Sequence, residues 1–129
     1  VSATIRDSAA SWTYATAAWR GANNSSTMRS SWIAGLSEDG FVAAYSSIAG
    51  SAAAVVGVGY DTTTSYSGGA GYAGVAGGNI MPTAGSYSAA TGLGFHYVNA
   101  VEYAAGGTVS FYSQNSVSNS NGLTFSFRA

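Results

Sequence analysis

The sequence predicts an all-β domain, a jelly-roll sandwich of about eight antiparallel strands. Between its glycines, the chain consists of short segments rich in Val, Ile, Thr, Tyr, Phe and Trp, and many of them alternate with period two. Polar turn signals separate these segments at the spacing typical of sandwiches. The 129 residues are enough for one core, so we expect residues 1–129 to form a single domain.

Each apolar segment of the chain predicts one strand. We expect these strands at residues 11–20, 30–36, 40–48, 53–60, 93–103, 108–114 and 123–128. In the segment from Leu93 to Tyr103, both alternating faces carry apolar side chains, which predicts a central strand. The acidic "SEDG" at residues 37–40 predicts a polar turn.

Two segments admit other interpretations. The Ala-rich residues 38–56 have some helical periodicity, but glycines interrupt it and no convincing cap precedes it, so we rank a helix second. Residues 61–91 are rich in Gly, Ser and Thr and could be a low-complexity linker, but their regular tyrosines favour one or two short edge strands joined by long exposed loops. We attribute the glycines of residues 68–78 to conformational freedom in such a loop.

Charged residues make up only 7% of the chain, against about 25% in an average soluble domain. There is no lysine, and four Lys or Arg residues against five Asp or Glu residues leave no basic patch for nucleic acid. The longest apolar run, residues 52–59, is far shorter than the roughly 20 residues that cross a bilayer, so we expect no membrane insertion. A net charge near zero favours contact with other protein surfaces.

The candidate catalytic groups are few. His96, the single histidine, and Glu102 lie six positions apart, about 20 Å along one strand, so they are not a catalytic pair. No hydrolase or metalloprotease motif accompanies them, and with no cysteine the chain lacks thiolate ligands, so we expect neither an enzyme nor a metal or cofactor site. Two of the acids Glu38, Asp39, Asp61 and Glu102 could still converge as a glycosidase pair. Trp12, Trp19 and Trp32 are either core or interface anchors or a platform for stacking sugars.

Several ordered motifs resemble one family. The strand "GFHY" at residues 94–97, Glu102, "GT" at 107–108, "FY" at 111–112 and "GLT" at 122–124 are similar to the closing strands of trimeric C-terminal head domains of tailed-bacteriophage fibre, spike and appendage proteins. The turn "WRGAN", the strand "WIAGL" and the acidic turn "ED" resemble the opening part of the same heads. The resemblance covers about residues 11–128. It departs from the family pattern at Ser113, since in the family a glycine often follows the tyrosine of the "FY" motif. The Gly- and Tyr-rich centre does not match the family pattern either.

This resemblance implies a jelly roll like that of tumour necrosis factor, assembled as a homotrimer in the virion, on a tail fibre or the capsid surface. It implies a C-terminal part of a longer fibre or spike protein that contacts other virion proteins and mediates host attachment or capsid decoration. On this interpretation His96 and Glu102 are architectural. We expect the exposed rings of Tyr66, Tyr72 and Tyr87 to contact a host surface glycan or protein, with packing as the alternative and the turn at residues 115–121 as the next candidate. The competing hypothesis is a carbohydrate-binding or glycan-cleaving β-sandwich module, and a purely structural knob is a third.

Overall fold

The computed structural model describes residues 1–74, 79–113 and 121–128, and over these residues the protein is all-β. Eleven strands lie in the described residues, together with one short 3₁₀ turn, Ala22–Asn24. The strands are β1 (Ser2–Ile5), β2 (Ser11–Tyr14), β3 (Arg20–Gly21), β4 (Arg29–Ala34), β5 (Gly40–Gly50), β6 (Ala54–Tyr60), β7 (Ser67–Ala73), β8 (Ile80–Ala90), β9 (Gly94–Ala104), β10 (Val109–Tyr112) and β11 (Gly122–Arg128). The recorded strand pairings are antiparallel, which confirms the predicted fold class.

The strands form one curled sheet whose two halves face each other, consistent with a jelly-roll-like sandwich. Its order is β1-β11-β5-β8-β7-β6-β9-β3, with β2 and β10 attached beside β5 and β4 attached to β9. We call β1, β11, β5 and β8 the β5 layer, and β6, β9, β3 and β4 the β9 layer. Strand β7 pairs with β6 and, at Gly69–Ser86, with β8, so it joins the two layers.

Two long strands organise the layers. Strand β5 pairs with β8 along its full length on one side and with β11 and β10 on the other. Strand β9 pairs with β6 on one side and with β3 and β4 on the other, which confirms the prediction that it is central. Side chains on the facing sides of the layers form the core, including Tyr45 and Phe111 from one half and Val56 and Val98 from the other.

Residues 61–91 differ most from expectation. The prediction of short edge strands is wrong, because β8 has eleven residues, pairs throughout with β5 and lies inside the strand order. Pro82 lies within β8 opposite Ile48 of β5.

The glycines of this region serve close backbone approach. A Cβ at Gly71 in β7 would collide with the carbonyl oxygen of Ala84 in β8. A Cβ at Gly85 would lie 2.6 Å from the carbonyl oxygen of Val56. These glycines let β6, β7 and β8 curl tightly where the two layers join, so loop freedom does not explain Gly71.

The other strand predictions are confirmed in place, with shifted ends. The predicted strand at 11–20 is two strands, β2 and β3, while the predicted strand at 108–114 spans Val109–Tyr112, and Gln114 lies outside the described residues. The helical alternative for residues 38–56 is wrong, since they contribute to β5 and β6. The acidic segment is a turn between β4 and β5, as predicted.

Nowhere in the part of the chain that the structure describes is a helix long and apolar enough to cross a membrane.

Gly71→Ala tests the close approach of β7 and β8. We expect the free energy of unfolding to fall by about 1–3 kcal/mol or more, because the new methyl group meets backbone, which cannot rotate away. Gly69→Ala is the matched control in the same strand, since its Cβ would make an ordinary 3.9 Å contact with the Ser86 oxygen. Urea unfolding followed by circular dichroism measures both, and equal effects of the two substitutions would contradict this explanation.

Candidate functional site

Glu102 lies in the interior with no exposed surface, on the core-facing side of β9. Its Oε1 accepts hydrogen bonds from Arg20 Nε (2.8 Å) and from the backbone N–H of Asn23 (3.2 Å), and lies 2.7 Å from Arg20 Nη2. Its Oε2 accepts from Trp12 Nε1 at 2.8 Å. The local sequence explains this convergence: Arg20 is the direct cross-strand partner of Glu102, and Asn23 adopts a left-handed conformation (φ 55°) that asparagine tolerates well.

Every donor around Glu102 stabilises its charged form. Burial raises the pKa of the Glu102 carboxyl, and the hydrogen bonds from Trp12, Arg20 and Asn23 offset part of that rise. Arg20 is held in turn by the Tyr14 ring, whose centroid lies 3.8 Å from its guanidinium carbon. The carboxylate therefore has four donors and no exposed surface on which to meet a substrate.

His96 belongs to a second network, formed where β6 ends and β9 begins. Its Nδ1 lies 2.8 Å from Asp61 Oδ2 and 2.9 Å from the Tyr60 hydroxyl, and its Nε2 lies 3.1 Å from the carbonyl oxygen of Gly92. The other Asp61 oxygen accepts from the Tyr97 backbone N–H at 2.9 Å. Asp61 has a left-handed backbone (φ 53°), which its short polar side chain makes tolerable.

Each ring nitrogen of His96 lies next to an oxygen that can accept a hydrogen bond. Because Asp61 and Gly92 offer acceptors to the two ring nitrogens, the imidazolium form satisfies both bonds, and the Asp61 hydrogen bond is the main cause that raises the pKa of His96. His96 and Glu102 thus lie in separate networks.

Among the described residues, no group of three or more His, Asp or Glu side chains could hold a metal ion. Asp39 is buried in the turn before β5, and its carbonyl oxygen accepts from the Thr91 backbone N–H at 2.7 Å. Glu38 is exposed beside it.

The three tryptophans lie apart. Trp32 packs into the core against Phe41 and Phe125, with ring centroids 5.1 and 4.9 Å away. Trp12 stacks on Phe111 at 6.3 Å and donates to Glu102. Among the described ring contacts none joins two tryptophans, so the hypothesis of a three-tryptophan platform is wrong.

Trp19 instead lies on the outer side of the β9 layer, where two of the predicted tyrosines join it. Its ring is 5.0 Å from that of Tyr66 and 5.5 Å from that of Tyr103. Val55 is the cross-strand partner of both Tyr72 and Tyr103, which places these two tyrosines on the same side of the sheet. We call Trp19, Tyr66, Tyr72 and Tyr103 the aromatic face. Tyr66 is 47% exposed and Tyr72 is 66% exposed.

Tyr87 has a different environment. It is half-buried and packs on the core, with its ring 5.7 Å from Phe41 and 5.9 Å from Tyr60. Of the three predicted contact residues, the structure therefore brings Tyr66 and Tyr72 to one surface and places Tyr87 in the position that the packing alternative describes. The role of all three in recognition stays a prediction, and residues 115–120 of the alternative turn lie outside the described residues.

Two glycines in β6 let the loop before Tyr66 lie on the sheet. A Cβ at Gly57 would be 3.0 Å from the Tyr66 Cβ and 3.8 Å from the Trp19 ring, and one at Gly59 would collide with the carbonyl oxygen of Thr62. Bare backbone on the outer side of β6 thus becomes the floor for the loop of residues 61–66. The loop carries Tyr66 to Trp19 and Thr63 to the neighbouring pocket.

That pocket, the Arg29 pocket, has a volume of about 180 Å³ and is lined by Gly21, Asn24, Ser25, Ser26, Arg29 and Thr63. The Arg29 guanidinium carbon lies 4.2 Å from the centroid of the Tyr97 ring, and Arg29 Nε donates to Asn99 Oδ1 at 3.1 Å. Asn99 is buried, and its Nδ2 donates to the Ala100 carbonyl oxygen. Sequence reasoning missed Arg29 and Asn99 because only the β4–β9 register, which pairs them directly, brings them together.

The chain matches no protein-family model, and no curated protein matches it significantly. The resemblance to phage head domains therefore depends on the motifs of this sequence alone.

Glu102→Gln tests the buried network. Both carboxylate oxygens of Glu102 accept hydrogen bonds, and glutamine replaces one of them with an NH₂ group. The substitution also leaves Arg20 without its charge partner. We therefore expect the free energy of unfolding to fall by about 3–5 kcal/mol. Glu38→Gln, on the exposed turn, should change it by no more than about 0.5 kcal/mol. Urea unfolding of both variants at neutral pH makes the comparison, and a Glu102→Gln protein as stable as the wild type would refute the network's role.

His96→Gln tests the second network through pH. The pKa of His96 is raised in the folded protein, so its contribution to stability is full below its ordinary value of 6.5 and is lost as pH rises through the raised value. We expect the wild-type melting temperature to decline across that interval relative to the variant, measured by calorimetry between about pH 5 and pH 9. His96 is the single histidine, so identical pH profiles of the two proteins would contradict the assignment.

Proposed function

We propose that this protein is a non-enzymatic head domain of a bacteriophage fibre, spike or appendage, carried on the virion as a homotrimer and serving host attachment or capsid decoration. The observation that carries the proposal is a contrast between the acid-base side chains and the aromatic side chains. Glu102, His96 and Asp61 are held in structural hydrogen bonds, whereas Tyr66 and Tyr72 of the aromatic face are exposed to solvent. Such a surface suits recognition, because tyrosine and tryptophan offer a flat apolar ring with a polar edge.

A second surface supports self-assembly. Ile33 and Phe95 are direct cross-strand partners and are 78% and 65% exposed. Leu36 and Leu93 lie in the two loops at the same end of the sandwich and are 55% and 67% exposed. We call these four residues the apolar end. Large apolar side chains grouped in this way are typical of protein contacts, and in the proposed trimer a neighbouring copy covers them.

The competing hypothesis, a carbohydrate-binding module, draws support from the same aromatic face, because rings stack on sugars in either case. A glycan-cleaving module needs two carboxylates about 5–10 Å apart in one open cleft. Glu102 has no exposed surface, and Asp61 is bonded to His96 and to the Tyr97 backbone, which favours binding over cleavage. Trimeric assembly on a virion separates the phage head from a module of a glycan-processing system.

Assembly is tested by Phe95→Asp. A charge in the apolar end should convert the trimer into monomers at micromolar concentration while leaving the fold intact, because Phe95 lies outside the core. Tyr72→Asp is the control: it has nearly the same exposure, lies on the aromatic face, and should remain trimeric while losing attachment to host cells. Sedimentation equilibrium gives the mass, and a cell pull-down gives attachment.

A wild-type protein that sediments as a monomer would overturn the trimer. Loss of assembly in Tyr72→Asp rather than in Phe95→Asp would exchange the roles of the two surfaces. Hydrolysis of a polysaccharide or ester by the wild type, abolished in His96→Gln, would overturn the non-enzymatic proposal.

A further inference from the structure

The Arg29 guanidinium is held on two sides, and within residues 1–74, 79–113 and 121–128 it pairs with no acid. Tyr97 supports one of its faces and Asn99 binds its Nε, while the ion pairs in the described residues are those of Arg20 with Glu102 and of His96 with Asp61. The pocket lining contains no Asp or Glu. Because the bond to Asn99 uses only Nε, the two terminal nitrogens keep their N–H donors for a ligand.

A planar group with two oxygens fits such a fork. Arginine binds carboxylates and phosphates through paired N–H donors, and a guanidinium held in advance loses little conformational entropy on binding. Arg29 is the single cation in the pocket lining and the chain has no lysine, so one negative charge is matched there. This balance favours a carboxylate over a doubly charged phosphate.

The other lining groups suit the rest of a sugar. Asn24, Ser25, Ser26 and Thr63 bring hydroxyl and amide groups that donate to and accept from sugar hydroxyls. Asn24 and Ser26 are exposed, so the pocket is open to a large ligand. The left-handed backbone of Asn24 (φ 51°) turns the chain at this rim.

The aromatic face continues from the pocket along the same side of β9. Asn99 and Tyr103 are four residues apart on one side of the strand, about 13 Å. Thr63 of the pocket and Tyr66 of the aromatic face belong to one loop. A ligand with its charge at Arg29 therefore reaches the rings of Trp19 and Tyr66 within a few sugar units.

We propose that this outer surface of the β9 layer binds an acidic oligosaccharide, with the carboxylate of one sugar on Arg29 and neighbouring sugars stacked on Trp19 and Tyr66. The inference rests on the proposed attachment function and names its receptor class. Arg29 is the contact residue for the carboxylate. Asn99 and Tyr97 are positioning residues, since they act through Arg29.

Binding is measured on the whole trimer with oligosaccharides containing glucuronic, galacturonic or N-acetylneuraminic acid, and with their methyl esters, which keep the sugar and lose the charge. At least one acid should bind at least about tenfold more tightly than its ester. Nuclear magnetic resonance titration should shift the amide signals of Gly21, Asn24 and Thr63. Absence of binding by all three acids, or equal affinity for acid and ester, would overturn the inference.

Variants assign the charge contact. Arg29→Gln should lose at least about tenfold in affinity for the acid and little for the ester, and Arg29→Lys should fall between, because it keeps the charge without the fork. Arg128→Gln is the matched control, since it removes the same charge from the β5 layer, and should bind as the wild type does. Calorimetric melting of each variant separates loss of binding from loss of fold.

The outcomes also separate this inference from the proposed function. If Arg29→Gln still attaches to host cells as the wild type does, the acidic-saccharide site is wrong and the attachment head stands. If the acid binds through Arg29 but the protein is a monomer that attaches to no cell, the site stands and the phage-head proposal is wrong.

Discussion

The burial of the Glu102 carboxylate constrains the structure more than any other single interaction. A charge without exposed surface is tolerable only where donors converge on it, and here the donors come from Trp12 in β2, Arg20 in β3 and the backbone at Asn23. Those segments have short pairings of their own: β3 has two residues and β2 has four. Glu102 therefore fixes the path of residues 11–24 across the end of the sandwich, and the nearby surface depends on that path.

The Arg29 pocket and the aromatic face each depend on a buried or half-buried hydrogen-bond network. Arg20 and Asn23, bound to Glu102, flank Gly21 and lead into Asn24, which places one rim of the Arg29 pocket. On the other side, Asp61 joins His96 and the Tyr97 N–H, which fixes the first residue of the loop that carries Thr63 and Tyr66. The two charge networks hold in place the loops that complete this surface of the β9 layer.

The sequence was informative where periodicity and burial coincide. Alternation over residues 93–103 predicted a central strand and its two faces, and the distance argument separated His96 from Glu102. The prediction of short edge strands joined by exposed loops failed for residues 61–91, because a glycine required by a close backbone contact is identical in sequence to one that supplies flexibility. The loop of residues 61–66 lies against Gly57 and Gly59, and this contact between segments is likewise absent from any local pattern. Trp12, Trp19 and Trp32 could not be assigned to core or surface for the same reason, since their environments depend on how separate strands meet.

The charged residues are few and several of them have structural contacts. Of the nine Asp, Glu, Lys and Arg residues, Glu102, Arg20 and Asp61 belong to the two networks and Arg29 is held on Tyr97, which leaves five for the rest of the chain. Ser, Thr, Tyr and aliphatic side chains cover much of the outer surfaces. Neutral side chains cost less free energy to desolvate than charged ones when another surface covers them. Arg29 differs from Arg20, because Tyr97 and Asn99 hold its guanidinium and the ion pairs of the described residues do not include it. In the proposed complex, the ligand supplies the opposite charge to Arg29 and apolar faces to the rings, so one ligand satisfies both parts of this surface.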